Sequence, residues 1–328
     1  MNDERRRMMK AAFLRQLVSL LFFVMPSISA HADTEFPSRT VRILVGFAPG
    51  GTTDLLARIV ADELRSIWNT AVVVENRPGA DGIVATTAMH NAPADGYTLL
   101  MSTNALVITP HLKPLPYDPI KDFEPITIVG QEHHHMLVTP RLPAKTVQDF
   151  IALAKSTPGG LTFSSAGPGS APFLGMQRFM QAAGITSMVH VPYPGSMPAA
   201  MAVVTSDVQS MFSSPSTTLP LSSEGKIRVL AVAGPKRDPN VPDIPTLAEA
   251  GLPGFESNTW FALVASPKIA PGVLEKIRTD VAQAMRSSSV LKRINDIKSV
   301  PVGNGSEEFR RIILSDFEIF GRLIANAK

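Results

Sequence analysis

Apolar positions along the chain alternate between two regimes. Short runs of strand length at residues 41–46, 71–75 and 97–102 are separated by stretches with helical spacing. In the first of these stretches Leu55, Leu56, Ile59, Val60, Leu64, Ile67 and Trp68 share one face, and residues 82–90 form a second. This alternation predicts a right-handed, parallel α/β layer. It halts at residues 103–122, where Pro110, Pro114, Pro116 and Pro119 follow one another, a passage read as a crossing between domains. A second α/β run follows. Its strands are expected at residues 126–129, 136–138, 161–165, 188–191 and 208–212, its helices at 147–156, 172–183, 197–205 and 216–223, and a return strand at 226–233. The last third offers a strand at 260–265, a helix at 271–286 and a final helix whose Phe309, Ile312, Ile313, Phe317, Phe320 and Ile324 form a stripe expected to pack in the core. A domain that the chain enters once and leaves once makes two lobes, residues 33–103 plus 228–328 and residues 104–227, with a ligand cleft between them.

The first 32 residues read as a secretory leader. Arg5, Arg6, Arg7, Lys10 and Arg15 precede a nine-residue apolar run, Leu17 to Met25, and Ala30-His31-Ala32 fits a cleavage site. A membrane anchor needs about 20 apolar residues, so removal after Ala32 is expected. The leader changes the charge argument. The whole chain has 31 Lys and Arg against 28 Asp and Glu, a formal +3, but the leader holds five of the former and two of the latter. The mature chain is therefore neutral, and the case for a nucleic-acid-binding face disappears. The absence of cysteine excludes disulfides, thiolate metal sites and a cysteine nucleophile.

Two loops carry candidate chemistry. Gly46-Phe47-Ala48-Pro49-Gly50-Gly51-Thr52-Thr53-Asp54 joins the first strand to a helix, where free N–H groups and the helix dipole favour an anion. Its spacing approaches a phosphate loop, but Thr52 stands where that motif needs lysine. Ser164-Ser165-Ala166-Gly167-Pro168-Gly169-Ser170 repeats the arrangement in the second lobe; Pro172 spoils its likeness to a dinucleotide fingerprint. Neither loop contains Lys or Arg, so a small carboxylate would be gripped from two sides by amides, hydroxyls and water. An ordinary capped turn is the alternative for each. His133-His134-His135 lacks a third ligand on one strand face, and no metal site or cofactor is expected. No nucleophile elbow or His-Glu-x-x-His motif occurs, so no catalytic residue is assigned.

Seven blocks in order extend the picture over nearly the whole mature chain: PSRTVRILVGFAPGGTTDLLAR from Pro37, VVVENRPGADG from Val72, ADGYTLLMSTNA from Ala94, LPYDPIKDFEPIT from Leu115, SSAGPGS from Ser164, VHVPYPG from Val189 and IPTLAEAGLPGFESNTWF from Ile244. In these the chain resembles the solute-binding receptors of the tripartite tricarboxylate transporter family, the Bordetella uptake gene type. The resemblance implies a periplasmic binding protein of Venus-flytrap form, each lobe a mostly parallel sheet flanked by helices. It implies a monomer that closes on a carboxylate and delivers it to a two-component membrane permease. By motif position Gly50, Gly51, Thr52 and Thr53 would bind from one lobe, and Ser165, Gly167, Gly169 and Ser170 from the other, with Asn104 near the hinge and Phe47 covering the pocket. Phe173, Ile83 and Ser213-Ser214 depart from the family's usual histidine, asparagine and Asp-Asn pair. If these positions line the cleft, a less polar or singly charged acid is expected to suit it better than citrate. A sensory receptor, or a periplasmic hydrolase, is the alternative function.

Overall fold

The structure, a computed structural model, describes residues 36–326, and the predicted leader lies outside them. From Pro37 onward the chain forms one compact unit. The first lobe is begun by β1 (Val41–Val45), α1 (Thr52–Trp68), β2 (Val72–Asn76), α2 (Ile83–His90), β3 (Thr98–Thr103), α3 (Ala105–Ile108) and β4 (Glu124–His133). The second lobe comprises β5 (His135–Val138), α4 (Val147–Ser156), β6 (Leu161–Ser165), α5 (Ala171–Ala183), β7 (Met188–Pro192), α6 (Ser196–Thr205), β8 (Ser210–Ser213), α7 (Pro215–Ser223) and β9 (Arg228–Val232). The chain then returns to the first through β10 (Asn258–Ala265), α8 (Pro271–Arg286), α9 (Ser288–Asp296), β11 (Val300–Pro301) and α10 (Ser306–Asn326).

Each lobe is organised around one sheet, in the strand order β11-β4-β10-β3-β1-β2 for the first and β7-β6-β8-β5-β9 for the second. Both sheets are mixed. Strands joined by crossover helices pair in parallel, as β1 does with β2 and β3, and β6 with β7 and β8. Strands next to the interlobe passage pair antiparallel, β10 with β3 and β4, and β5 with β8 and β9. The reason is connectivity: a strand that leaves one lobe and a strand that returns to it run in opposite directions. Strand runs such as Val41, Ile43, Leu44 and Val45 are buried because helices cover both faces of the parallel part. On α1 the predicted face holds, with Leu56, Ile59, Val60, Leu64 and Trp68 buried. In α10, Phe309, Ile313 and Ile324 are buried, and Phe309 meets the Trp260 ring edge-on at 5.3 Å.

Strand pairing moves the points at which the chain changes lobe. The proline-rich passage is not a crossing; it holds α3 and a following 3₁₀ turn, and α3 packs on α10 in the first lobe. The strand expected at 126–129 is the longer β4, zipped to β10 across eight residue pairs of the first sheet. Conversely β9, expected as a return strand of the first lobe, pairs with β5 in the second. The chain passes over at His134 and comes back at Ser257. These two passages lie side by side, the His134 N–H donating to the Ser257 carbonyl at 2.9 Å. Ala233 ties both, donating to the His134 carbonyl at 2.7 Å and accepting from the Ser257 N–H at 2.9 Å.

The middle histidine of the run staples this hinge. Its Nδ1 lies 2.9 Å from the Ser257 hydroxyl and its Nε2 2.7 Å from the Thr259 hydroxyl, in a fully buried position. Burial depresses the imidazole to about 3, so it is neutral at physiological pH, one nitrogen donating and the other accepting. His135 is held by the Thr218 hydroxyl at 2.9 Å and the Asp238 carboxylate at 3.0 Å. The His134→Ala variant is expected to lose about 2–4 kcal/mol, since it leaves two buried hydroxyls without partners and opens a cavity. Urea unfolding followed by circular dichroism measures this; a loss below about 1 kcal/mol would mean that the ring only fills space.

Candidate functional site

Three strand-to-helix turns converge between the lobes, each at the carboxyl end of a parallel strand: Phe47–Gly51 after β1, Ala166–Ser170 after β6 and Tyr193–Gly195 after β7. They edge a narrow cleft. Phe47, Gly51, Thr52 and Thr53 line it from the first lobe, Ser170 and Pro172 from the second, and Gly195 to Pro198 from the start of α6. Thr103 and Phe261, register partners on β3 and β10, close its floor with Thr259. The lobes touch across it, a Cβ at Gly195 coming within 3.5 Å of the Ala48 Cβ.

The first turn is shaped by Asp54. Its carboxylate accepts from the Gly50 N–H at 3.0 Å, from Arg58 Nε at 3.0 Å and from Asn76 Nδ2 at 2.9 Å, while Asn76 also donates to the Phe47 carbonyl. Burial alone would push this carboxyl up, but these hydrogen bonds outweigh it and hold it below the usual range. Gly50 takes φ of +82°, a conformation open to glycine, and its N–H is spent on Asp54. Gly51 caps α1 without a side chain, so the first-turn amides of α1 stay available to a guest. The start of α6 has the same character, with Gly195 as a cap that has no side-chain bond.

Of the expected binding residues, Phe47, Gly51, Thr52, Thr53 and Ser170 thus meet in one cleft. Gly50 sits behind it. Asn104 does not reach it: buried beneath the floor, its Oδ1 accepts from the Trp260 N–H at 2.9 Å and its Nδ2 faces Asp316. Ser165 is buried with its hydroxyl 2.8 Å from His190 Nε2 and bonded to Gly167. Gly167 and Gly169 face a different part of the first lobe, where a Cβ on either would collide with Asp81. Phe173, Ile83 and Ser213 are not among the lining residues; Phe173 packs against Phe163 and His190 instead. The argument for ligand polarity from those three positions therefore falls. The α6 turn was missed, although Pro194-Gly195-Ser196 between a strand and a helix is the same signal as the other two. Thr103, Thr259 and Phe261 have no local signal, because strand register alone brings them to the floor.

The sequence model described as "Tripartite tricarboxylate transporter family receptor" matches residues 56–328. The chain belongs to this family. Among its relatives, Protein BugT of Bordetella pertussis is 31% identical, the match covering 88% of each chain. Among solved structures, R. palustris Rpa4515 with adipate superimposes with a TM-score of 0.85 at 31% identity over 89% of this chain and 98% of that one. MatC of Rhodopseudomonas palustris with bound malate gives 0.82 at 29% identity over 88% and 100%. The chain is thus a two-lobed periplasmic solute-binding receptor, not an enzyme.

One buried carboxyl borders the receptor's cleft from behind. Glu132, at the end of β4, accepts from the Ser216 hydroxyl at 3.1 Å, and Ser216 in turn pairs with the Thr52 hydroxyl at 2.5 Å, a chain of contacts from the hinge to the first binding turn. Burial pushes this carboxyl up to about 8, the surrounding hydroxyls offsetting only part of the effect. The folded protein therefore keeps a proton that the unfolded chain releases near 4.5. The resulting stability is complete below about 4.5 and is lost as pH rises towards about 8, a decline on the order of a few kcal/mol. Melting temperatures of the mature protein between pH 5 and 8 are expected to fall more steeply than those of Glu132→Gln; parallel curves would show that the carboxyl is ionised throughout.

Proposed function

We propose that this receptor captures a small organic carboxylate in its interlobe cleft, closes over it in the periplasm, and hands it to a two-component membrane permease. Export through a leader removed after Ala32 brings it there. The observation that carries this reading is the composition of the cleft wall: helix starts at Thr52, Ser170 and Ser196, hydroxyls from Thr52, Thr103, Ser170, Ser196 and Thr259, and, among the described residues, no ionisable side chain. Partial positive charge from amides at helix starts suits an anion, and the Ser196 hydroxyl can donate to it, whereas the Ser170 hydroxyl donates to the Gly167 carbonyl. Phe47, Pro49, Pro172, Met197 and Phe261 leave the remainder of the guest an apolar surface. Adipate and malate, named with two related structures, belong to the same chemical class.

The lobes turn about His134 and Ser257. Guest-driven closure follows from differential affinity: Thr52 lies on one lobe and Ser170 on the other, so a guest bound to both favours the state in which they approach. Both walls of the cleft come from one chain, which suits action as a monomer. Phe47, Gly51, Thr52, Thr53, Ser170, Gly195 and Ser196 are the residues placed to contact the guest.

A thermal-shift screen of the protein beginning at Asp33 against mono-, di- and tricarboxylates tests this. A true guest at one hundred times its Kd is expected to add about 2.7 kcal/mol of stability. Ala48→Trp, whose ring would press on Gly195 and hold the lobes apart, is expected to weaken binding at least tenfold (about 1.4 kcal/mol) while the unliganded protein keeps its fold. No response to any acid, or an undiminished response in the Trp variant, would refute the cleft as the binding site.

A further inference from the structure

The second-lobe glycine turn already faces a carboxyl group, and the protein supplies it. Asp81 projects from the short turn between β2 and α2, where Ala80 and Asp81 have φ of +49° and +59°. Two successive non-glycine residues in the left-handed region are unfavourable unless their surroundings demand the conformation. The demand is visible across the lobe boundary. A Cβ on Gly167 would overlap Asp81 Oδ1, and a Cβ on Gly169 would come within 2.8 Å of the Asp81 Cβ while overlapping Thr109. The second-lobe turn thus inserts backbone into a notch of the first lobe formed by Asp81 and Thr109. Only glycine allows this approach.

The Asp81 side chain is 9% exposed, with the Lys113 ammonium 4.0 Å from Oδ2. Burial raises its carboxyl, and Lys113 and the Gly169 N–H act in the opposite direction. Asp81 also borders a small polar cavity with Thr86, Thr109 and Tyr117, and this cavity shares Phe47 and Thr103 with the main cleft. Phe47 and Thr103 thus stand between the carboxyl's cavity and the main cleft. A carboxylate held in surroundings poor in water acts strongly on another brought close to it.

We infer that Asp81 determines specificity: its carboxylate occupies the glycine turn that a second carboxylate of the guest would otherwise approach, and so restricts the cleft to acids bearing one carboxylate. This rests on the carboxylate-capture reading above and sharpens it. The three departures considered from sequence play no part in it. Asp81 comes from the first lobe and contacts the second-lobe turn, so its negative charge stands on the side where an amide dipole would have attracted a second carboxylate.

The test uses matched acid pairs of four, six and eight carbons, butyrate with succinate, hexanoate with adipate and octanoate with suberate, and the aromatic pair benzoate with terephthalate. Affinities are measured by calorimetry on the mature wild type, Asp81→Asn and Asp81→Gly, two replacements that tolerate positive φ. Circular dichroism and unliganded melting establish that each variant is folded. In the wild type the monoacid of the best-bound pair is expected to exceed its diacid by about tenfold or more, and both variants are expected to shift that ratio at least tenfold towards the diacid, the monoacid itself changing less than about threefold. A wild type that prefers diacids, or a ratio unmoved in both variants, would overturn the assignment of Asp81 and leave carboxylate capture standing. Binding of no acid by any of the three proteins would overturn both.

Discussion

The arrangement of this receptor depends on two strands of backbone that pass between the lobes in contact with each other. His134 and Ser257 are hydrogen-bonded to one another and, through Ala233, to the end of the second-lobe sheet. Because each passage also continues a long strand, β4 on one side and β10 on the other, the hinge is an extension of the first sheet and not a free linker. Any relative motion of the lobes must be absorbed by the few φ and ψ angles at these positions, which limits it to rotation about one line. That constraint decides what the cleft can be. The turn after β1 and the turns after β6 and β7 meet beside this line, since the cleft floor includes Thr259, whose hydroxyl is bonded to His134.

Much of this organisation was legible in the sequence, and the parts that were not share a cause. Helix 147–156 and strand 161–165 were placed to the residue, because capping and apolar spacing are local properties: Thr146 and Asp149 form a reciprocal capping box in which each backbone N–H meets the other's side chain. The lobe boundaries were displaced by some thirty residues at each passage. Prolines at 110, 114, 116 and 119 mark an irregular segment, but nothing local says which sheet the next strand joins. β4 is settled in the first sheet by β10, more than a hundred residues later. The short helix α9 and the two-residue strand β11 went unread for the same reason, their place being given by packing on α1 and pairing with β4. At the site, glycine turns before helices were readable, whereas Thr103 and Phe261 were not, since register alone puts them on one face. Asn104 lay in the right neighbourhood with its polar atoms already engaged.

The cleft wall carries no cationic side chain among the described residues, and on the carboxylate-capture reading this has a consequence for release. A lysine or arginine pair would fix an acid by a strong, long-range attraction that persists as the lobes part. Helix-start amides act over roughly one turn, and their partial charges weaken quickly as water returns. Affinity built from them is large in the closed form and small in the open one. A carrier that must seize a guest and surrender it at a membrane benefits from that contrast, because opening by itself discharges most of the binding free energy.

Charge instead enters through three carboxyls set behind the wall, each solved differently. Asp54 is surrounded by donors and consumes the Gly50 amide, which leaves fewer free N–H groups at the first turn but orients those that remain. Glu132 is enclosed among hydroxyls, a setting that favours the neutral form and makes the path from Thr52 through Ser216 a run of neutral hydrogen bonds. Asp81 stands between these extremes, buried yet within reach of Lys113. Two of the three have a cation beside them, Arg58 at Asp54 and Lys113 at Asp81, so much of the charge they add behind the wall is balanced. With no cationic side chain among the described residues of the cleft wall, discrimination would fall to shape, to the apolar surface and to the field at each turn.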